Sequence, residues 1–508
     1  MKSILATMLL FAFTAGAQQV RMEYGPLAEI PKGGKGVYPE AGVLRYFNIY
    51  GSATDRFVHY QIANNEYTAH VNPDLSVLPP TEVSIPWPED VADRGAPLRQ
   101  QGNYWLDDRL LRFIGGYNKT LKKYVLYAVI MNGNGTYANT VLPLDTFDIR
   151  QAGGVESFVA ASPDQSKFLV YAVPFGNEKD INFISLKCFD AGLNPLYRTR
   201  LPADRYDVNT FGDCAVDNNG NAVASFGARN AVYNASTKAL NDVETKEGTM
   251  AGAFVFDNRG RLFLASPLLE GQFSLARFNA LLTDFDFSAN PVEPSLSTKE
   301  FSGKLFRLRE IVSHGDSDML ILYEQSDTVY GTKKWNPDLS AANVTRWGRG
   351  TFESPTVKTP NYYFSDNLIA IGLTVNGATA KINYAVDMAK SQVSTHRSLF
   401  MNSFTALDGE HLYIFFNDNF SNEPLRTYKE MKPFRAPRFG IDDSEKDGLA
   451  YARLNLKSGT WSKHNLGTPE NHLLVQINSA TQTGDREWLV RSALNKADDY
   501  RLVRLRFE

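Results

Sequence analysis

The chain has 508 residues, of which 53 are Lys or Arg, 56 are Asp or Glu, 43% are apolar and 12% are aromatic. A formal charge of -3 excludes the broad basic surface that a nucleic-acid backbone requires, and the composition excludes an intrinsically disordered chain. Two Cys are too few for a disulfide scaffold or a zinc-finger array.

Residues 1 to 17 have the pattern of a secretory signal peptide. A positive charge at the second position precedes an apolar core at residues 4 to 13, which is shorter than the ~20 residues that a membrane helix needs. Ala15 and Ala17 are the small residues that a signal peptidase accepts. We therefore predict cleavage after Ala17 and a secreted or periplasmic bacterial protein, residues 18 to 508, without an integral membrane segment. The alternative is an N-terminal membrane anchor.

The rest of the chain repeats one hairpin pattern, in which an apolar strand, a turn of Asp, Asn or Gly, and a second apolar strand follow one another. These turn residues tolerate positive φ or bond their own backbone, which lets the two strands fold back on each other. The pattern occurs at residues 104–116, 158–173, 213–227, 253–266, 311–324, 362–375, 404–416 and 477–493.

A second hairpin, with a turn that often carries Leu, alternates with the first. It occurs at residues 67–78, 183–197, 274–287, 329–344, 382–393 and 451–461. Two interleaved hairpins give four strands per unit, and the chain divides into about nine units of about 54 residues, the period of propeller blades. We therefore predict an all-β fold, a single β-propeller of about nine four-stranded blades, with seven to nine plausible.

The two ends of the chain suggest how the ring closes. The last unit contains strands near residues 473–480, 487–494 and 500–507 but lacks a fourth, and residues 19–30 are able to supply it. Closure of this kind removes the open end of a repeat array. The alternative fold, a pair of β-sandwiches, predicts a linker and a composition break near the middle, and the sequence has neither.

Two of the hairpins carry a resemblance to known repeats. SPDQSKFLVY at residues 162–171 resembles the bacterial PD40-type propeller repeat, with Gln and Ser where that repeat has Gly. DCAVDNNGNAVAS at residues 213–225 is similar to the hairpins of NHL-like secreted propellers. The resemblance covers single hairpins and implies a propeller, but it implies no activity, because this architecture includes both binders and enzymes.

No local catalytic motif for a hydrolase elbow, a zinc protease, a phosphate loop or a dinucleotide site is present. Glycosidase chemistry needs two carboxylates in different environments, which a propeller supplies from strands around its axis. Most candidate carboxylates fall at hairpin turns, where Asp is favoured by turn geometry alone. They are Asp107, Asp108, Asp164, Asp217, Asp257, Asp316, Asp366 and Asp408.

The segment at residues 333–349 is the best candidate for a ligand site. Exposed Trp beside cations suits a sugar, a carboxylate or a protein partner. The alternative is two Trp side chains that pack across a hairpin. The candidate ligand-binding residues are Trp335, Trp347, Lys333, Lys334, Arg346 and Arg349.

The longest insertion runs from residue 416 to residue 449, and we expect its basic first half to pair with its acidic second half. Asp443, Glu445 and Asp447 alternate before a Gly, as in loops that wrap calcium with oxygen ligands. The alternative is a solvated acidic loop. Calcium is the one cofactor that the sequence suggests.

Cys188 and Cys214 fall in consecutive units of an exported protein, so a disulfide between them is possible. Two buried, unreactive thiols are the alternative.

The sequence thus favours a non-catalytic binding or scaffold module for a protein or glycan ligand, with no nucleic-acid partner. The alternative is a glycan-processing enzyme, a hydrolase or lyase, with carboxylates gathered at the propeller axis.

Overall fold

A computed structural model describes most of the chain after the predicted signal peptide. The described residues are 20–29, 44–52, 54–62, 65–91, 99–106, 108–148, 154–175, 183–202, 205–206, 211–226, 229–244, 253–269, 272–278, 283–289, 305–334, 356–376, 379–394, 401–422, 431–435, 447–466, 474–493 and 499–507. In these ranges the regular structure is β, with a short 3-10 turn at Phe420–Asn422. No helix in them is long and apolar enough to cross a membrane.

The first four sheets are antiparallel, and each has four strands in sequence order. Sheet 1 contains β3 (Leu44–Gly51), β4 (Arg56–Ile62), β5 (Asn65–His70) and β6 (Thr81–Val83). Sheet 2 contains β7 (Arg99–Leu106), β8 (Arg109–Asn118), β9 (Lys123–Asn132) and β10 (Tyr137–Phe147). Sheet 3 contains β11 (Gly154–Ala161), β12 (Lys167–Phe175), β13 (Phe183–Asp190) and β14 (Pro195–Pro202). Sheet 4 contains β15 (Phe211–Val216), β16 (Ala222–Phe226), β17 (Arg229–Asn234) and β18 (Ala239–Glu244).

The last four sheets keep this plan with additions to two of them. Sheet 5 contains β19 (Ala253–Phe256), β20 (Leu262–Ala265), β22 (Phe273–Phe278) and β23 (Thr283–Ala289). Sheet 6 contains β21 (Leu268–Leu269), β24 (Leu305–His314), β25 (Asp318–Lys334), β26 (Thr356–Asn376), β27 (Thr379–Ser394) and β30 (Phe434–Arg435). Sheet 7 contains β28 (Phe404–Asp408), β29 (His411–Asn419), β31 (Asp447–Asn455) and β32 (Trp461–Asn465). Sheet 8 contains β33 (Leu474–Gly484), β34 (Glu487–Ala493), β35 (Asp499–Phe507), β1 (Val20–Tyr24) and β2 (Ala28–Glu29).

The predicted turn chemistry forms the first hairpin of sheets 4 and 5. A carboxylate oxygen of Asp217 accepts the backbone N–H groups of Asn219 and Asn221 at 2.9 and 2.8 Å. Gly220 follows in the left-handed region with a φ of 84°, which glycine adopts without a steric cost. Asp257 repeats this arrangement in sheet 5. These bonds close each turn and set the register of the strands on either side.

Apolar packing joins the sheets into a ring. Every neighbouring pair, from sheets 1 and 2 to sheets 7 and 8, shares a cluster of buried apolar side chains. Sheets 8 and 1 are also neighbours, because Leu489 and Leu502 pack in one cluster with Val58 and Tyr60. The arrangement is a β-propeller, as predicted, and not a pair of β-sandwiches.

The N-terminal strand completes the last sheet, as predicted. β1 pairs antiparallel with β35, from Val20 opposite Phe507 to Tyr24 opposite Val503. Val20 is buried in the cluster that joins sheets 7 and 8. Nη1 of Arg504 also lies 2.8 Å from Oε2 of Glu23. The first and last described strands therefore belong to one sheet.

The described residues form eight sheets, one fewer than the nine units counted and within the predicted range of seven to nine. Residues 362–375 and 382–393 account for the difference, because each predicted hairpin lies in a single long strand, the first in β26 and the second in β27. Asp366, expected at a turn, lies in β26 beside a shift of register between β26 and β27. A shift of this kind is a bulge, which bends a strand without reversing it.

The two faces of the ring differ in their connections. The first long strands of the eight sheets are β3, β7, β11, β15, β19, β24, β28 and β33. We call the face where these strands begin the upper face, and the face where they end the lower face. Short turns dominate the lower face, and some bond each other across sheets, as when the backbone N–H of Asp164 donates to Oδ1 of Asn218 at 3.2 Å. On the upper face, Nε2 of Gln392 donates to the carbonyl oxygen of Asn417 at 2.8 Å, and Nδ2 of Asn417 donates to that of Val475 at 2.7 Å. These two bonds link sheets 6, 7 and 8 through their upper ends.

Deletion of residues 20–24 should destabilise the ring, because it removes the outer ladder of sheet 8 and the buried Val20. We expect a loss of at least about 3 kcal/mol from these hydrogen bonds and this apolar burial, measured by thermal and chemical unfolding. The matched control is Tyr24→Ala, since the Tyr24 side chain is exposed in the same strand. Equal midpoints for the deletion and the control would show that β1 does not hold the ring closed.

Candidate functional site

A two-stranded arm extends from sheet 6 at the upper face. β25 pairs with β24 only up to Gln325, and β26 pairs with β27 only from Tyr363 onward. Beyond these points, residues 329–334 and residues 356–362 pair only with each other. Six strand residues span about 20 Å at the usual rise. The arm therefore continues the middle two strands of sheet 6 past the edge of the propeller.

The outer end of this arm holds part of the predicted ligand-binding segment. Lys333 lies opposite Val357 in the ladder, and Lys334 lies opposite Thr356. The other four candidates, Trp335, Arg346, Trp347 and Arg349, lie outside the described residues. The strand pairing holds residues 334 and 356 opposite each other at the upper face, and the ligand role of the segment stays a prediction.

The long insertion of sheet 7 leaves the same face beside this arm. Its residues Phe434 and Arg435 form β30, which pairs in parallel with β27 of sheet 6, and Phe434 is fully buried. Nδ2 of Asn422 donates to Oδ1 of Asp418 at 2.9 Å and to the carbonyl oxygen of Lys432 at 2.8 Å. Residues 431–435 of the insertion thus pack on sheet 6, whereas residues 423–430 and 436–446 lie outside the described ranges, so pairing of its basic and acidic halves stays a prediction.

The calcium prediction falls largely in that acidic segment. Asp443 and Glu445 lie outside the described residues. Asp447 begins β31, is buried, and accepts a hydrogen bond from Nδ2 of Asn419 at 2.8 Å. No group of three His, Cys, Asp or Glu side chains able to hold a metal occurs in the described ranges. The calcium site stays a prediction.

A buried charge network lies where the arm leaves sheet 6. Glu324 of β25 forms an ion pair with Lys390 of β27, and both side chains are almost fully buried. Oγ of Ser365 donates to Oε1 of Glu324 at 2.8 Å, and Nζ of Lys390 donates to Oγ of Ser365 at 2.7 Å. Nε of Arg309 lies 2.7 Å from Oε2 of Glu324. Side chains from three neighbouring strands therefore meet at the carboxylate of Glu324, so the network joins four strands of one sheet.

The charge state of this carboxylate follows from its surroundings. Burial by itself raises the pKa of Glu324, but the positive charges of Lys390 and Arg309 outweigh burial and lower this pKa below its usual value. The carboxylate is therefore ionised at neutral pH. A buried charge is tolerated only when it is paired and hydrogen-bonded, as this one is.

A second buried ion pair lies near Phe416, in sheet 7. Asp418 of β29 pairs with Lys463 of β32, and both side chains are buried. Nζ of Lys463 lies 5.5 Å from the ring centroid of Phe416, and Nζ of Lys390 lies 6.0 Å from it. Since Asp418 also bonds Asn422, this pair anchors the start of the insertion. The bases of both long connections are thus fixed by buried charges around one aromatic ring.

Two exposed guanidinium groups lie on β24, the first strand of sheet 6, near the upper face. Arg307 is exposed and makes no hydrogen bond or ion pair with the described residues. The Arg309 side chain is 34% exposed, and its Nη2 donates to the carbonyl oxygen of Ser403 at 2.8 Å. Arg309 is therefore oriented by the network below it. Guanidinium groups in fixed orientations suit carboxylates.

Two partly buried carboxylates, in β15 and β24, have the raised pKa that a general acid needs. Burial raises the pKa of Asp213 in β15, where backbone N–H groups of Cys214 and Phe254 donate to it at 2.8 and 3.3 Å. Burial also raises the pKa of Glu310 in β24. They belong to sheets 4 and 6, which are not neighbours. The glycan-processing alternative stays a prediction, with these as its best-placed acids.

Cys188 and Cys214 lie in neighbouring sheets 3 and 4 and are buried in one apolar cluster. Both are free thiols, so the possible disulfide is not formed in the structure. Burial raises the pKa of the Cys188 thiol to about 11 and also raises the pKa of Cys214. Both groups stay protonated at neutral pH and are poor nucleophiles.

The sequence patterns did not single out Glu324, Lys390 or Arg309. Glu324 directly follows the apolar run MLILY, and a charge beside such a run is a signal for a buried pair. Arg309 and Lys390 give no such signal, because their strands also carry other charged residues. Lys390 and Glu324 are 66 positions apart, however, so only the topology identifies them as partners.

No protein-family model matches the chain, and no curated protein matches it. Among solved structures, the WD40 domain of SCAP from fission yeast is 7% identical, with 95% of this chain and 98% of that chain covered and a TM-score of 0.36. YCF48 from Cyanidioschyzon merolae is 11% identical, with 76% and 95% covered and a TM-score of 0.32. A streptogramin B lyase is 9% identical, with 59% and 94% covered and a TM-score of 0.24. The propeller assignment rests on the strand pairing and packing described above and not on these distant similarities.

Lys390→Met should destabilise the fold strongly, because it leaves Glu324 buried with only Arg309 to balance it. Loss of one partner of a buried ion pair costs about 3–5 kcal/mol, which chemical denaturation measures. Lys390→Met combined with Glu324→Gln should recover much of this loss, since the unbalanced charge is gone. Lys381→Met is the control, because Lys381 is exposed in the same strand. Equal stability of the control and Lys390→Met would contradict a structural role for the pair.

Proposed function

We propose that the protein is an exported, non-catalytic binding module of a bacterium. Its ligand site is the upper face of sheets 6 and 7, and its ligand is a protein or glycan that carries carboxylates. The observation that supports this most strongly is the arm of β25 and β26, which continues past the edge of sheet 6. In compact β proteins, long extensions on a rigid scaffold are characteristic positions for recognition.

The base of the proposed site is rigid. The Glu324 and Lys390 pair fixes the point where the arm leaves the sheet, and the Asp418 and Lys463 pair fixes the start of the insertion. A binding surface held in one arrangement loses less conformational entropy when a ligand binds. Buried charges below the two connections therefore serve binding by preorganisation.

The chemistry of the proposed site is cationic and aromatic. Arg307 and Arg309 present guanidinium groups near the upper face, and Lys333 and Lys334 lie at the arm's outer end. In the proposal, Trp335 and Trp347 add flat apolar surfaces for a sugar ring or an apolar side chain. Carboxylates match the cations, and extended contact with the arm requires a ligand larger than a metabolite.

Binding to arrays of acidic and neutral glycans and peptides tests the proposal. Arg307→Ala should weaken binding of acidic ligands about tenfold, since a hydrogen bond to a charged group contributes about 1.5–3 kcal/mol. Arg307 has no partner among the described residues, so the fold should be unaffected. Arg259→Ala is the matched control, because Arg259 is an exposed residue in a turn of the lower face.

The same arrays separate the contribution of the arm from that of Arg307. Trp335→Ala combined with Trp347→Ala should reduce binding of acidic and neutral ligands alike, because it removes stacking and not charge. Unchanged binding by this double variant would show that the segment at residues 333–349 is not part of the site. Two results would refute the upper-face site. One is that the wild-type protein binds no acidic glycan or peptide, and the other is that Arg259→Ala weakens binding as much as Arg307→Ala does.

Export is the second part of the proposal, and it is supported by the signal-peptide pattern of residues 1–17. Expression of the full chain in a bacterial host, followed by fractionation and N-terminal sequencing, should yield a periplasmic or secreted protein that begins at Gln18. Ala15→Leu combined with Ala17→Leu should block processing, because the peptidase requires small residues there. A wild-type protein retained in the cytoplasm with Met1 intact would contradict export.

A further inference from the structure

A cavity of about 110 Å³ opens on the lower face between sheets 5 and 6, on the side of the ring opposite to the proposed upper-face site. Its apolar lining includes Phe263 and Met319, both buried. The volume is large enough for about four or five non-hydrogen atoms, since a cavity of about 150 Å³ accommodates the six of benzene. The cavity therefore fits a small molecule and not a polymer.

Opposite charges line the two walls of this cavity. Arg261 and Arg277 come from sheet 5, while Asp316 and Asp318 come from the turn and first residue of β25 in sheet 6. Arg261 is held in place, because its Nε lies 2.8 Å from Oδ2 of Asp257 and its Nη2 donates to Oγ of Ser313. One wall thus presents guanidinium groups and the other presents carboxylates.

Some charged groups that line the cavity have hydrogen-bonding atoms without a partner among the described residues. Within the described ranges no ion pair joins Arg261 to Asp316 or Asp318, and Nη1 of Arg261 makes no hydrogen bond. Oδ1 of Asp318 accepts a hydrogen bond from Oγ1 of Thr374 at 2.6 Å. Asp316 is exposed and has no hydrogen-bond partner among the described residues. A donor on one wall and a carboxylate on the other are available to a ligand.

We propose that this cavity binds a small zwitterion of the α-amino-acid class. Its carboxylate would face Arg261, and its ammonium group would face Asp316. A simple anion would leave the aspartates unmatched, and a simple cation would be repelled by the arginines. Glycine has five non-hydrogen atoms and carries both charges, so it matches the volume and the two walls together. Alanine and serine carry the same two charges, and their one or two additional atoms would lie at the open mouth of the cavity.

Titration with L-alanine, followed by calorimetry and by NMR chemical shifts, tests the proposal. N-acetyl-L-alanine and L-alanine methyl ester are the ligand controls, because each removes one of the two charges. Both should bind at least about tenfold more weakly than L-alanine. Equal binding of all three would refute recognition of a zwitterion, as would no binding of glycine, L-alanine or L-serine at tens of millimolar.

A pair of variants locates the site. Asp316→Asn should weaken L-alanine binding about tenfold without a change in thermal stability, since Asp316 is exposed and makes no bond to the described protein. Asp485→Asn is the matched control, because Asp485 is an exposed turn residue of the lower face in sheet 8. Full binding by Asp316→Asn, or equal loss in both variants, would overturn the assignment. Neither result depends on whether the upper face binds its own ligand.

Discussion

Apolar packing between neighbouring sheets is the interaction on which the rest of the structure depends. One four-stranded sheet has two faces to bury and cannot cover both by itself. Here each sheet is covered by its two neighbours, and the contact between sheets 8 and 1 removes the uncovered ends of a linear array. Because β1 belongs to sheet 8, that sheet is complete only when the first and last described strands have met.

The junction of sheets 6 and 7 departs from this apolar plan. Glu324, Lys390, Asp418 and Lys463 are buried around Phe416, at the positions where the two longest upper-face connections begin. Well-packed apolar residues are often as stabilising as a buried ion pair, so stability alone does not explain such a cluster. A fully bonded polar network does fix one arrangement of the strands that carry it. That property suits the base of a binding surface.

The two faces of the ring consequently have different characters. Asp and Asn side chains close short turns on the lower face, and bonds such as that between Asp164 and Asn218 tie one sheet to the next. The upper face holds the arm, which extends beyond sheet 6, and the point where the insertion leaves sheet 7. A rigid ring with short turns on one side and long connections on the other separates the scaffold from the recognition surface.

The sequence by itself determined the local units of this fold. Turn chemistry at Asp217 and Asp257 and alternating apolar strands predict hairpins because these interactions involve residues only a few positions apart. The missing fourth strand of the last unit likewise predicted closure by the N-terminus. Tertiary structure alone decided that Asp366 lies in a continuous strand, because pairing with β25 and β27 replaces the turn that its neighbours favour. It also decided that Lys390 meets Glu324, and that arginines of sheet 5 face aspartates of sheet 6, since contacts between distant segments depend on the register and packing of whole sheets.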